Sequence, residues 1–220
     1  MKTRVALDSG DKRFFATAVD WPGWSRSGKT RDEALGRLVE YGTRYKKSIG
    51  KPALKLVLPE SVDDLQTVAI AKGDKNVDFG VPHSIMDVDR ESLTDDRLAV
   101  EIGLLEAAWA AFESAAEKAS GKALAPGPRG GGRSVGQMVE HVHETDRAAY
   151  IGALGAKAPP ASANRVSVQS AFIEALHAKV RGELPDKGPR GGERWPARYA
   201  IRRSAWHALD HAWEIEDRLS

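Results

Sequence analysis

From Thr94 onward, apolar side chains recur at alternating steps of four and three: Leu98, Ile102, Leu105, Trp109, Phe112 and Ala116, stopping at Gly121. That spacing predicts a helix with one buried face, which obliges the chain to supply other elements to cover it. A second helix is expected from the Ser134 cap through Met138, His141, Val142, Thr145 and Ala149 to about Leu154. A third is expected from about Ser167 through Val168, Phe172, Leu176 and Val180, and a fourth after Pro196, a residue suited to the first helical position. Four helices of similar length joined by modest loops predict an antiparallel four-helix bundle.

The period changes upstream of residue 93. Arg4–Asp8 and Arg13–Val19 are β-prone runs separated by Ser9-Gly10-Asp11, which reads as a hairpin. Asp20-Trp-Pro-Gly-Trp24 forces a turn. Thr30 with Glu33 forms a capping-box pattern ahead of Ala34, Leu35, Leu38, Val39 and Tyr45. Leu54–Leu58 and Thr67–Ala71 are candidate strands, and Asp74–Asp89 reads as loop. The expected class is α+β, with a small αβ domain at 1–72, a linker at 73–92 and a helical bundle at 93–220.

Charge separates the same regions. Residues 1–55 carry 13 Lys/Arg against 6 Asp/Glu, a net of +7, while the remainder carries 20 against 25, a net of −5. The basic part lacks a recognition helix or interleaved aromatics, so no nucleic-acid partner is expected. Apolar runs are too short for a membrane span, no apolar leader is present, and we expect a cytoplasmic protein. With no cysteine in the chain, disulfide scaffolds, thiolate metal sites and cysteine nucleophiles are excluded. Any metal must be held by histidines and carboxylates.

Of six histidines, at 83, 141, 143, 177, 207 and 211, five fall in the helical region. His207 and His211 are one helical turn apart and can reach a single ion. His141 shares a face with Met138 and Thr145, whereas His143 points to the opposite side. Three imidazoles from two helices suit Zn²⁺, Ni²⁺ or another borderline divalent ion and leave a coordination position open. On the helical wheel His207 and His211 lie at the edge of the apolar arc, which suits a site open to water. Asp210, Glu214, Glu144 and Asp146 are candidate outer-shell groups. The alternative is a structural role, with the histidines unmetallated.

The pentapeptide Gly-Pro-Arg-Gly-Gly occurs twice, at 127–131 and 188–192, each copy ahead of an even-numbered helix. Alternating helices would make the second and fourth parallel and bring both copies to one end. Arg129 and Arg190 would then line a mouth for an anionic substrate; the alternative is ordinary turn composition.

Ser134-Val-Gly-Gln-Met-Val-Glu-His141-Val-His-Glu-Thr-Asp-Arg147, followed by Ala205-Trp-His207-Ala-Leu-Asp-His211-Ala-Trp-Glu-Ile-Glu216, resembles the DinB/YfiT-like family over about residues 93–220. That resemblance implies a four-helix bundle with a three-histidine metal site, here His141, His207 and His211. It further implies a metal-dependent thiol S-transferase or hydrolase acting on a small electrophilic substrate, with a low-molecular-weight thiol as cosubstrate. No catalytic base is assigned. Phe14-Phe-Ala-Thr-Ala-Val-Asp20-Trp-Pro-Gly-Trp24-Ser-Arg-Ser-Gly28-Lys-Thr30-Arg-Asp-Glu33-Ala-Leu resembles a HicB-like antitoxin fold. That implies a module for protein binding or homodimerisation, and the alternative function is a non-catalytic metal- or ligand-binding protein with such a module.

Overall fold

A computed structural model describes residues 2–127 and 132–219. It is a mixed α+β structure: a four-stranded sheet near the N-terminus, followed by helices. Strands β1 (Thr3–Ser9) and β2 (Phe14–Ala18) form the expected hairpin, closed by the Gly10 N–H donating to Arg13 O at 2.9 Å. β3 (Ser25–Gly28) and β4 (Leu65–Lys72) complete the order β3-β2-β1-β4, with β4 parallel to β1. Alternation along β1 sends Val5 and Leu7 into the main core and Ala6 into a smaller cluster with Met86 and Val88. The central strand is thus covered on both faces.

Helix α1 (Arg31–Glu40) begins as its sequence predicts: the Glu33 N–H donates to Thr30 Oγ1, and Glu33 Oε2 accepts from the Lys29 N–H. Its continuation to Tyr45 is not a single helix. The chain turns at Tyr41 into α2 (Gly42–Ile49), where a side chain at Gly42 would meet the Trp24 ring at 3.0 Å. The turn lets Tyr45 stack on Trp24 and donate to Pro22 O at 3.0 Å. Leu54–Leu58 forms no strand; Lys51–Ala53 is a 3₁₀ turn, and Pro52 and Pro59 bracket a segment that buries only Ala53 and Leu56 deeply.

Residues 73–92 are packed structure. Asp74 caps α3 (Lys75–Phe79), Gly80 ends it at φ +100°, and Asp87–Asp89 forms a 3₁₀ turn. Ser84 N–H donates to Asp8 Oδ1 of β1, and Ser84 O accepts from Arg202 of the last helix, so this segment ties the sheet to the helices. One hydrophobic cluster runs from Val5 and Trp24 through Leu98 and Trp109 to Phe172 and Leu209, while Val77, Met86 and Val88 of residues 73–92 are buried in two smaller clusters.

The longer helices are α4 (Asp95–Lys118, capped by Thr94), α5 (Val135–Glu144, with Ser134 and Gln137 in a capping box), α7 (Arg165–Val180, capped by Asn164) and α8 (Ala197–Leu219). α5 continues through a π-helical stretch, Thr145–Tyr150, into the short α6 (Ile151–Leu154). Their directions differ from simple alternation. Arg218 near the end of α8 donates to Ala125 O and Arg133 O ahead of α5, while Trp195 N–H ahead of α8 donates to Ala153 O at the end of α6. The second and fourth helices therefore run antiparallel. Glu101 pairs with Arg198 and Trp109 bonds Ser204, so α4 and α8 run parallel. The connection from Gly155 to Asn164 carries the chain back along α6, which puts α5 and α7 in the same direction.

Gly23 marks where the sheet meets α8. Its φ is +92°, and a Cβ there would lie 2.7 Å from Leu209 Cδ1 and 3.2 Å from the Ala205 backbone. Gly23→Ala is expected to lower stability by about 2–3 kcal/mol, combining left-handed backbone strain with overpacking. The urea midpoint of the variant against the parent checks this.

Candidate metal centre

α8 places His207 and His211 on one face, and α5 crosses that face with His141. One ligand atom from each of the three rings can be chosen so that all lie within 4.8 Å of one another. His141 Nε2 and His207 Nε2 are 3.1 Å apart, and the ring centroids of the three pairs are 4.9, 5.3 and 4.9 Å apart. With Zn–N bonds of about 2.05 Å, a 3.1 Å separation subtends about 100° at an ion. The donor set is compatible with tetrahedral or octahedral coordination and leaves at least one position free of protein.

His211 Nδ1 lies 3.0 Å from Glu214 Oε2. A carboxylate accepts, so Nδ1 carries a proton in this contact, and the neutral tautomer that fits it presents the Nε2 lone pair. Glu214 is itself held by Arg218 Nη1 at 2.8 Å, and the bond from His211 keeps its carboxyl below the usual range. Burial holds the His207 imidazole well below its ordinary pKa, with the neighbouring His211 adding to the effect; burial likewise lowers His141. Both are therefore neutral near pH 7, the form that coordinates a metal. His207 Nδ1 is enclosed without a partner.

His207 and His211 are only 7% and 8% exposed, in place of the solvent-edge position the wheel predicts. The wheel treats α8 alone. α5 packs against α8 there, and access is from the half-buried His141, which lines a cleft of about 640 Å³ with Arg133, Gln137, Glu140 and Thr145. His143 stands apart from the cluster, as its place on the helix predicts: its Nε2 lies 3.1 Å from Ala163 O, so it pins the 155–164 connection. Among the outer-shell candidates only Glu214 bonds a histidine. Asp210 pairs with Arg26, Glu144 with Arg147, and the enclosed Asp146 accepts from Arg165 and Ser204. His83 is half-exposed in its loop, 3.9 Å from Asp74, and His177 is half-buried on α7.

Arg129 lies outside the described residues. Arg190 is exposed in a tight turn closed by Gly188 N–H donating to Gly192 O at 2.7 Å. Because the second and fourth helices are antiparallel, the residues flanking the first Gly-Pro-Arg-Gly-Gly copy lie at the C-terminal end of α8 and the second copy lies at its N-terminal end. The described flanks of the two copies thus lie at opposite ends of α8. Arg190 also precedes a helix whose first ten residues, about 15 Å of axis, separate it from His207.

Three residues near the centre escaped sequence reading. Tyr150 lies 5.9 Å from His207 between ring centroids, Trp206 lies 6.4 Å from it, and Arg203 sits one turn before it on α8. Only Arg203 carried a signal, its i−4 spacing from His207.

Fold and centre together define a mixed α+β protein with a three-histidine cluster between two helices. No family model matches the chain, and comparison with curated proteins and with solved structures found no match.

If Glu214 orients His211, Glu214→Gln is expected to weaken Zn²⁺ binding by about tenfold while leaving stoichiometry at saturation unchanged. Competition against a chromophoric chelator reads the affinity.

Proposed function

We propose that the protein is a metal-dependent enzyme, a thiol S-transferase or hydrolase acting on a small electrophilic substrate, with Zn²⁺ or Ni²⁺ held by His141, His207 and His211. The observation that carries this reading is the convergence of those three imidazoles from α5 and α8. The resemblance of residues 93–220 to DinB-like four-helix bundles supports it and suggests a low-molecular-weight thiol cosubstrate. A bound ion would lower the pKa of a thiol or water at its open position. The chain's own residues do the rest. Glu214 fixes the His211 ring and Arg218 fixes Glu214, so one of the three coordinating groups is set before anything binds. Burial of His207 and His211 by α5 limits water to the cleft beside His141.

The test loads the protein with Zn²⁺ and measures consumption of glutathione, mycothiol or bacillithiol in the presence of a panel of electrophiles, together with hydrolysis of esters and amides. Turnover that disappears in His141→Ala supports the enzyme. Stoichiometric metal without turnover across the panel overturns it in favour of a binding protein. One observation favours that second reading: β4 is a sheet edge with Ile70 64% exposed, a surface through which the HicB-like N-terminal module can pair with a strand of a protein partner or of a second copy. No helix among the described residues is long and apolar enough to cross a membrane.

A further inference from the structure

Four buried arginines on α8 provide an internal comparison. Arg198 is paired with Glu101, Glu91 and Asp20, Arg202 with Asp89, and Arg218 with Glu214 and two backbone carbonyls. Arg203 is 7% exposed, and its Nε and Nη1 are enclosed without an acceptor; among the described residues no carboxylate lies within ion-pair distance of it. An unpaired buried cation is costly and is ordinarily matched. Its neighbours are aromatic: the guanidinium carbon is 4.9 Å from the Trp206 ring centroid and 5.6 Å from that of Tyr150. These faces stabilise the charge but accept no N–H bonds in the guanidinium plane. Trp206 is 5% exposed and its Nε1–H also has no acceptor. Two adjacent buried side chains on one helix thus hold unfilled donors, and His207, with its own unpartnered Nδ1, follows Trp206 directly.

We propose that Arg203 and Trp206 form a carboxylate-binding subsite beside the histidine centre, so that the substrate is a small carboxylic acid. A single cation between flat aromatic faces suits a planar monoanion better than a phosphate dianion, which would call for a second positive group. Residues one helical turn apart have Cβ atoms about 5–6 Å apart, so an acid of about four or five carbons spans from Arg203 to a group at the histidine centre. The substrate assignment rests on the metal-centre reading; the anion subsite stands on Arg203 and Trp206 alone.

The test titrates succinate, glutarate, acetate and inorganic phosphate calorimetrically into EDTA-treated and Zn²⁺-loaded protein, for the parent, Arg203→Gln and Trp206→Phe. The expected result is diacid binding by the parent that weakens at least tenfold in Arg203→Gln and severalfold in Trp206→Phe, with metal stoichiometry intact. The ligand-free Tm of Arg203→Gln is expected to hold or rise, because an unpaired buried charge is removed. Equal affinity in parent and Arg203→Gln overturns the subsite, as does absence of carboxylate binding by the parent in both metal states. Phosphate binding tighter than either diacid overturns the carboxylate assignment. Should Arg203→Gln fail to fold, unchanged affinity in Trp206→Phe overturns the proposal. Arg203-dependent carboxylate binding in a protein that takes up no Zn²⁺ overturns the metal-centre reading while sustaining the subsite.

Discussion

Dialysed against Zn²⁺ and then against metal-free buffer, the parent protein is expected to retain about one equivalent per chain, and His141→Ala far less, with affinity reduced by more than about 100-fold. His141 is the informative ligand to remove. It is half-buried at the cleft, so alanine there opens little cavity, whereas His207 and His211 are enclosed by neighbouring helices. The remaining pair spans only one turn of α8, and two imidazoles on one helix hold a divalent ion far more weakly than three from two helices. Elemental analysis and chelator competition read the effect, and unchanged circular dichroism shows that the fold survives. A loss of less than tenfold would mean that His141 is a neighbour of the site and no ligand.

The largest stability effect is expected at Asp89. Its carboxylate receives Arg202 Nε at 2.6 Å and Arg202 Nη2 at 2.8 Å, and Oδ2 also accepts the Met86 N–H at 2.8 Å. Arg202 spends a further donor on Ser84 O at 2.7 Å and lies over the Tyr199 ring. Both partners are buried, at 4% and 6% exposure. Asp89→Ala leaves a desolvated guanidinium without its anion and is expected to cost about 3–5 kcal/mol. That is a large share of the roughly 5–15 kcal/mol typical of a folded domain. Asp89→Leu combined with Arg202→Met should recover much of the loss, since the penalty belongs to the orphaned charge. The pair also joins residues 73–92 to α8, so the parent should unfold in one transition by every probe. Separate transitions for sheet and helices in the parent would contradict the shared core.

Local interactions account for what was legible in the residues. Thr30 with Glu33, Thr94 with Arg97 and Ser134 with Gln137 are contacts three residues apart, and the helices start there as expected. The histidine triad was legible for the same reason: His207 and His211 are one turn apart, and His141 lay on an identifiable face. Helix direction was not legible, because it depends on the path of residues 155–164, fixed by His143 to Ala163 and Arg147 to Pro159, contacts with no short-range signature. The wheel misjudged the exposure of His207 and His211 because burial there comes from another helix. The spacing of Arg203 from His207 was legible but its lack of an ion-pair partner was not, because a missing acceptor is a property of the whole packing around a side chain. The proposed division at 73–92 followed composition, which carries no information about Ser84 and Asp89 reaching α8.

The π-helical stretch from Thr145 to Tyr150 sets how the two ends of the second helix relate. In an uninterrupted α-helix, Tyr150, nine residues beyond His141, would point about 180° away from it. A π-bulge amounts to one extra residue in the helical register, which swings everything downstream by about 100°. That rotation brings Tyr150 to the His207 side of α8, where its ring also faces Arg203. The side chains at the histidine centre and those beside Arg203 therefore share one wall because the helical register takes up one residue more than an α-helix would between His141 and Tyr150.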